Sequence, residues 1–218
     1  MLRRSRRLLV ADLGASHVAC GAFSTGSGGK LVLEHLFVDA FSSDVSLDSL
    51  WREAVTRSLA KISNDARFRG SLGVTLPGHL AFTKFIKTPA IDRSQRNKVI
   101  QFEAAQNIPY PLEEVVWDHL LVSDDGLEVE VVITAVKAET MFGLCAAINA
   151  AGRSVTHASA SCIALHDAFR YSHPEVQENT LVIDVGARST HLLFIERGRF
   201  FARTLPFGGN AVSQSIAD

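Results

Sequence analysis

The chain has 218 residues, and its 22 lysines and arginines nearly balance its 23 aspartates and glutamates, giving a formal net charge of -1. That balance argues against a general nucleic-acid binder, which carries a clear basic excess. Hydrophobic residues make up 47% and charged residues 21% of the chain, so we expect it to fold around an apolar core rather than stay disordered.

The cysteines and the lack of long apolar runs indicate in which cellular compartment we expect the protein. Cys20, Cys145 and Cys162 fit neither a disulfide framework nor a CxxC metal clamp, and they favour a reducing cytosol. No stretch approaches the about 20 consecutive apolar residues that cross a bilayer. Residues 1–7 predict a basic arm, and the apolar run behind it is cut by Asp12 and Gly14, so we expect no signal-peptide h-region there. We expect a solvated terminus, with contact to anionic lipid or a partner as the alternative.

Apolar periodicity predicts an alternation of strands and helices. Apolar runs bounded by turn residues predict strands, and apolar residues at helical spacing predict helices. In chain order these are strands at 8–13, 17–23 and 31–38, a helix at 47–62, strands at 72–76 and 80–87, a helix at 92–107, strands at 115–122 and 128–136, a helix at 139–152, a strand near 155, a helix through 165, and a strand at 181–185.

Local signals set several of these ends. Asp92-Arg-Ser-Gln95 has the form of a capping box, in which the aspartate side chain accepts from first-turn amides. Pro109 disfavours helical geometry at Ile108, so that helix should end near Asn107. The polar segment 172–179 predicts an interdomain linker.

The opening motif returns after that linker. Leu181-Val-Ile-Asp-Val-Gly-Ala-Arg188 repeats the apolar run and the Asp-x-Gly-Ala of residues 8–15. Each copy continues into a predicted hairpin, and the second one turns at 196–199 before a third strand that ends at Leu205. Recurrence at this long distance indicates an internal duplication rather than a solenoid repeat.

The residue types of the duplicated loop suit a phosphate site. An aspartate at the end of a buried strand can hold Mg²⁺, usually through water, and the following glycine lets backbone amides approach a phosphate. A single Asp-x-Gly is commonly only a turn, whereas the same element twice is a stronger signal. Glycines before a helix start offer further amides. The candidate phosphate-binding residues are Asp12, Gly14, Ala15, Ser16, Asp184, Gly186, Ala187, Ser189, Thr190, Gly208 and Gly209, with Asp12 and Asp184 as the Mg²⁺ candidates.

Other candidate sites carry less weight. Residues 26–30, Gly-Ser-Gly-Gly-Lys, lack the spacing of a P-loop and predict a plain turn. Cys162 and His166 lie four apart on a predicted helix, but structural zinc takes four ligands and no second pair is evident, so we expect a core cysteine and a surface histidine. His17 and His191 lie close to the two loops, where reaching a phosphate and facing solvent both remain open.

The residues also carry a family resemblance. Two Asp-x-Gly hairpins around an inserted α/β module resemble the actin, Hsp70 and sugar-kinase superfamily. Within it, Ile108-Pro-Tyr-Pro-Leu-Glu-Glu-Val115 is similar to the type IV pilus assembly protein PilM family, which is related to the cell-division protein FtsA. Segments that continue the likeness are 85–89, 100–104, 117–118, 133–137, 147–152 and 207–209.

The resemblance implies an α/β, actin-like (ribonuclease H-like) ATPase fold with an inserted subdomain of the PilM/FtsA type. Family members continue past residue 218, so we expect a C-terminally truncated chain with only the phosphate half of a nucleotide site. The implied segments are a basic arm at 1–7, an actin-like subdomain at 8–82, the insert at 83–160, a helix and linker at 161–179, and an incomplete second subdomain at 180–218.

The resemblance further implies a cytoplasmic scaffold that binds ATP and Mg²⁺, at most a weak ATPase, peripheral to the inner membrane. In the family such a protein binds the short cytoplasmic tail of PilN and joins a ring beneath PilN and PilO that couples to the pilus motors. The alternatives are a small-molecule kinase of the same superfamily and a nucleotide-independent secretion-system adaptor. A kinase would need a positioned base, and no residue can be nominated for it.

Overall fold

The fold is taken from a computed structural model that describes residues 7–41, 47–62, 64–90, 92–196 and 199–217. The predicted basic arm, apart from Arg7, and the middle of the predicted turn at 196–199 lie outside the described residues. Two compact units divide the chain. The first unit is Met1–Pro77 with Phe142–Ser159, and the second unit is Gly78–Met141 with Ala160–Asp218.

Strands and helices alternate along the chain, which confirms the α/β class. Their ends differ from the predicted ends by a few residues, as expected for element boundaries. The strands are β1 Leu8–Leu13, β2 His17–Thr25, β3 Leu31–Ala40, β4 Ser71–Leu76, β5 Phe82–Pro89, β6 Val115–Asp124, β7 Glu128–Lys137, β8 Ser154–Ala160, β9 Thr180–Val185, β10 Thr190–Glu196 and β11 Arg199–Leu205. The helices are α1 Asp48–Lys61, α2 Arg93–Asn107, α3 Ala138–Ala150, α4 Ser161–Ser172 and α5 Gly209–Ala217.

The first unit is built on a five-stranded sheet in the order β3-β2-β1-β4-β8. In it, β1 pairs antiparallel with β2 and parallel with β4. Residues of β1 alternate strictly, with Leu9, Ala11 and Leu13 buried and the residues between them exposed. Helix α1 contributes the fully buried Trp51 and Val55 to the core of this unit. Burial of alternate positions fixes the register of β1, because a slip by one residue would expose all three.

The second unit contains two antiparallel sheets of three strands, β5-β7-β6 and β11-β10-β9. Helix α2 buries Ile100 and Ala104 in an apolar cluster with Val131 and Ile133 of the first of these sheets. In the other sheet, β9 lies at the edge, and its Leu181, Ile183 and Val185 side chains are half or more exposed.

The ends of α2 test two of the local signals. Ile108 has an extended backbone (φ -71°, ψ 125°), as Pro109 requires. The predicted capping box at the other end is wrong, because the Asp92 side chain forms no capping hydrogen bond. The Asp92 carbonyl oxygen accepts instead from the Gln95 amide at 2.8 Å.

The segments around the predicted linker lie within one unit. Residues 173–179 run from the end of α4 to the start of β9, and both of these elements belong to the second unit. The division of the chain into subdomains at residues 82, 160 and 179 stays a prediction. No helix in the described ranges is long and apolar enough to span a bilayer.

Candidate phosphate-binding loops

The internal duplication predicted from the sequence is present in the pairing of the strands. Asp12 lies opposite Ala19 in the first hairpin, and Asp184 lies opposite His191 in the second. Both pairs are separated by the same number of residues, so the two turns, 14–17 and 186–189, have equal length. The first turn belongs to the first unit and the second turn to the second unit.

The glycine of each turn occupies the same local environment. A Cβ atom at Gly14 would lie 3.0 Å from the carbonyl oxygen of His17, and one at Gly186 would lie 3.0 Å from that of Ser189. Such contacts are shorter than an ordinary van der Waals distance. Each turn can therefore fold back this closely only because the last residue of its Asp-x-Gly motif is a glycine. The conformation of the loop is thus repeated along with its sequence.

The carboxylate of the first loop is held in place but remains accessible. The Thr75 hydroxyl donates a hydrogen bond to Asp12 Oδ1, and His17 Nε2 lies 3.9 Å from Asp12 Oδ2. The Asp12 side chain is 55% exposed, and Ser16 Oγ lies 3.2 Å from His17 Nδ1. A carboxylate, an imidazole and a hydroxyl therefore surround this turn. The Asp12 carboxylate thus stays accessible to a hydrated Mg²⁺, which prefers oxygen ligands.

Helix α1 supports the backbone of the same loop. The indole N–H of Trp51 donates to the Gly14 carbonyl oxygen at 2.9 Å, and the Trp51 ring is fully buried. The sequence places Trp51 on the apolar face of a helix, but nothing in the pattern indicates the partner of its ring nitrogen. The same holds for Thr75, which follows Asp12 by 63 positions.

The second loop is supported by the start of α5. The amides of Gly209 and Asn210 donate to the carbonyl oxygens of Gly186 and Ala187 at 2.8 and 3.0 Å. A Cβ at Gly208 would lie 2.5 Å from the Gly186 oxygen, so this close packing needs a glycine. These two amides are engaged within the chain, which makes the glycine pair a support for the loop.

The hydroxyl groups of the second loop are mostly withdrawn from solvent. Ser189 and Thr190 are each 7% exposed, and the Thr190 hydroxyl donates to the Phe207 carbonyl oxygen at 2.7 Å. Asp184, in contrast, is exposed. Asp184 and its counterpart Asp12 are thus both accessible acidic groups.

His191 is buried, so its interpretation as a solvent-facing strand residue is wrong. Its Nδ1 lies 3.0 Å from the Thr204 hydroxyl. Burial lowers the pKa of His191, while the charge of Asp184 acts in the opposite direction. A Cβ at Gly78 would lie 2.2 Å from His191 Cε1, so the chain passes directly against the ring. His17 is only partly buried.

The alternative metal site gains no support from its surroundings. Cys162 is buried as expected, with Thr83 Oγ1 3.8 Å from its sulfur. His166 is not a surface residue, because its ring stacks on Phe200 with centroids 4.0 Å apart. Among the described residues, no three His, Cys, Asp or Glu side chains are grouped so as to hold a metal ion. Residues 26–30 form a short 3₁₀ turn, as the plain-turn interpretation predicts.

Comparison with known proteins identifies the family of the chain. Residues 11–218 match the family model described as type IV pilus assembly protein PilM. The structure of a PilM-PilN type IV pilus biogenesis complex is 21% identical in sequence with a TM-score of 0.81, covering 98% of this chain and 65% of that one. This chain therefore spans about two thirds of the length of that relative.

Two further solved structures share the fold. The cytoplasmic domain of EpsL, an inner membrane component of the Vibrio cholerae type II secretion system, is 13% identical with a TM-score of 0.61, covering 98% of this chain and 76% of that one. A Bacteroides thetaiotaomicron protein with an actin-like ATPase fold is 12% identical with a TM-score of 0.55, covering 98% and 75%. The fold of this chain is thus actin-like, as the sequence resemblance implied.

Proposed function

The chain belongs to the type IV pilus assembly protein PilM family, and from this membership we propose that it is an actin-like scaffold that binds ATP and the cytoplasmic tail of a PilN-like membrane protein. The observation that carries the nucleotide part is the repeated Asp-x-Gly turn, with the same length and the same close glycine contact in both copies. Such turns suit a phosphate chain, because backbone amides approach it closely where no Cβ intervenes.

In this proposal each loop offers its own groups to phosphate. Gly14, Ala15 and Ser16 offer amides and a hydroxyl from the first loop, and Gly186 with Ala187 form the second turn. Ser189, Thr190, Gly208 and Gly209 hold that second turn in shape through the contacts described above. Loops that are fixed before the ligand arrives lose little entropy on binding.

The carboxylate of each loop has the chemistry that Mg²⁺ prefers. Asp12 and Asp184 are exposed carboxylates, and Mg²⁺ is bound by one or two carboxylates together with water and substrate phosphates. Bound there, the ion would offset the negative charge of the phosphates. Asp12 is oriented for this by Thr75. No catalytic residue is assigned, and a scaffold with at most weak ATPase activity is proposed.

The partner part of the proposal rests on the family and on the named relative. The solved relative is a PilM-PilN complex, and we propose a PilN-like tail as the partner of this chain. The protein would then sit at the cytoplasmic side of the inner membrane, held there by its partner, within a ring that contacts the pilus motor and platform proteins.

Calorimetric titration of this chain with a synthetic PilN-like cytoplasmic tail, with and without Mg-ATP, tests both parts. Saturable binding of the tail, and none of a scrambled tail of equal composition, is the expected result. A separate titration with Mg-ATP reports on the loops. Binding of neither the tail nor the nucleotide would contradict the proposal, and binding of only one would remove the other part.

A further inference from the structure

A cavity in the second unit is lined mostly by residues that the proposed function does not use. It encloses ≈ 630 Å³, within the range of about 300–1,000 Å³ that is usual for small-molecule sites. Its walls come from the turn that starts at Gly78, from β5 and from β11. Of the described phosphate-loop residues, only Ser189 reaches the wall.

Two cations line the cavity, one on each flanking strand. Lys84 lies on β5 and Arg203 on β11, and both side chains are exposed to solvent. Within the part of the chain that the structure describes, neither forms an ion pair, and no aspartate or glutamate is found in the cavity wall. Two uncompensated positive charges at one cavity favour a negatively charged ligand, since charged hydrogen bonds to carboxylate or phosphate are strong.

The same cavity has an aromatic wall. The rings of Phe85 and Phe201 both line it and pack against each other with centroids 4.9 Å apart and an interplanar angle of 51°. Phe85 is fixed further by an edge contact with Phe200 at 5.4 Å. Fixed rings present flat apolar surface on which a planar ligand can stack. Thr83 and Thr204 also line the wall, and their hydroxyl groups contact Cys162 and His191 respectively.

We propose that this cavity binds a small organic anion that joins a phosphate or carboxylate group to a flat apolar ring. Lys84 and Arg203 hold the anionic group, and Phe85 and Phe201 hold the ring. The proposed contacts use neither the Asp-x-Gly carboxylates nor Mg²⁺, and Ser189 is the one residue of the second turn that reaches the wall among the described residues.

Calorimetric titrations of this chain with matched probes, in buffer without Mg²⁺, test the assignment. Phenyl phosphate and benzoate carry both features and differ in the anionic group. Phenol carries the ring alone, and inorganic phosphate carries the charge alone. We expect at least one of the two ring-bearing anions to bind, and to bind about tenfold or more tightly than phenol or inorganic phosphate.

Charge-removing variants localise the binding. Lys84→Gln and Arg203→Gln should each weaken the better probe by about tenfold or more, because each removes one charged partner. Lys98→Gln is the matched control, since Lys98 is an exposed lysine on α2 that does not line the cavity. Thermal unfolding of each variant verifies that the fold persists.

Three outcomes would overturn the assignment. The first is no saturable binding of either ring-bearing anion up to about 5 mM, a limit that corresponds to the weakest useful affinities. The second is equal affinity for phenol and for the anions, which would make the cavity merely apolar. The third is unchanged affinity in both the Lys84 and the Arg203 variants, which would locate the anion elsewhere.

Discussion

His191 Nε2 lies 2.7 Å from Ser161 Oγ, although 30 positions separate the two residues. The bond joins the first residue of α4 to β10, and His191 is only 3% exposed. One ring nitrogen thus contacts a helix start, while the other contacts the Thr204 hydroxyl on β11. A neutral imidazole can donate through one nitrogen and accept through the other, which suits two hydroxyl partners.

Stability should fall when His191 becomes protonated. Burial lowers the pKa of His191 below its ordinary value of 6.5, so in mildly acidic solution the unfolded chain binds more protons than the folded chain. The corresponding stability is fully present above about pH 6.5 and is lost as the pH falls through the folded-state pKa. Urea unfolding of the native protein and of His191→Gln across pH 8 to 5 measures this. The difference in unfolding free energy between the two should change with pH, and a constant difference would contradict the expectation.

Adding one methyl group at Gly78 should destabilise the second unit. The new Cβ of Gly78→Ala would lie 2.2 Å from His191 Cε1 and 2.9 Å from Thr204 Cγ2, and overpacking of this kind costs about 1–3 kcal/mol. Gly73→Ala is the control, because its Cβ would meet no atom closer than 3.7 Å. That change should alter the unfolding free energy by less than about 1 kcal/mol. Equal losses of unfolding free energy in the two variants, measured by urea unfolding, would contradict this and would show that the His191 ring moves to accommodate the methyl group.

Local sequence signals predicted some features of the molecule and could not predict others. The end of α2 followed from Pro109 because a proline acts on the residue directly before it. The predicted cap by the Asp92 side chain was wrong, because the Gln95 amide donates to the Asp92 carbonyl oxygen instead. The sequence pattern does not encode which of these two acceptors the amide meets. Burial of His191 was not predicted, because the hydrogen-bond partners of its ring, Ser161 and Thr204, lie on other elements of the fold.

The same reasoning applies to the candidate loops. Their sequence repeat predicted the matched hairpins, since Asp-x-Gly after an apolar run fixes a strand and a turn together. The supports of the loops, Trp51 and Thr75, were not predicted because no local signal selects a partner across the fold. The hydrogen bond from the Gly209 amide to the Gly186 carbonyl oxygen was not predicted for the same reason. An amide at a helix start can donate equally well to a ligand or to a carbonyl oxygen of the chain.

Replacing either loop carboxylate should weaken Mg-dependent nucleotide binding. Asp12→Ala and Asp184→Ala each remove an exposed oxygen pair that would face hydrated Mg²⁺, and we expect a loss of about tenfold or more in affinity for Mg-ATP. Because both side chains are exposed, the unfolding free energy should change by less than about 1 kcal/mol. Asp118→Ala, which removes an exposed aspartate on β6, is titrated with Mg-ATP in parallel as the control. Unchanged affinity in both loop variants would reject the phosphate assignment.

The three thiols should react at very different rates. Burial raises the pKa of Cys20 to about 12 and also raises the pKa of Cys162, so both remain protonated and unreactive in the folded protein. Cys145 is only partly buried. Iodoacetamide at about pH 8 should therefore label Cys145 first in the native protein and all 3 cysteines after unfolding in urea. Peptide mapping by mass spectrometry identifies the sites, and rapid native labelling of Cys20 would contradict the expectation.

The hydrogen bond from Trp51 to the Gly14 carbonyl oxygen makes Trp51 an intrinsic fluorescent probe of the first loop. The chain has 2 tryptophans, Trp51 in the first unit and Trp117 in the second, where it packs against the apolar cluster under α2. Indole emission responds to polarity and hydrogen bonding at the ring nitrogen, so Trp117→Phe leaves a chain whose fluorescence comes from the ring that holds the first loop. We expect a ligand that binds at that loop to change this emission, which can be followed in solution without an attached dye.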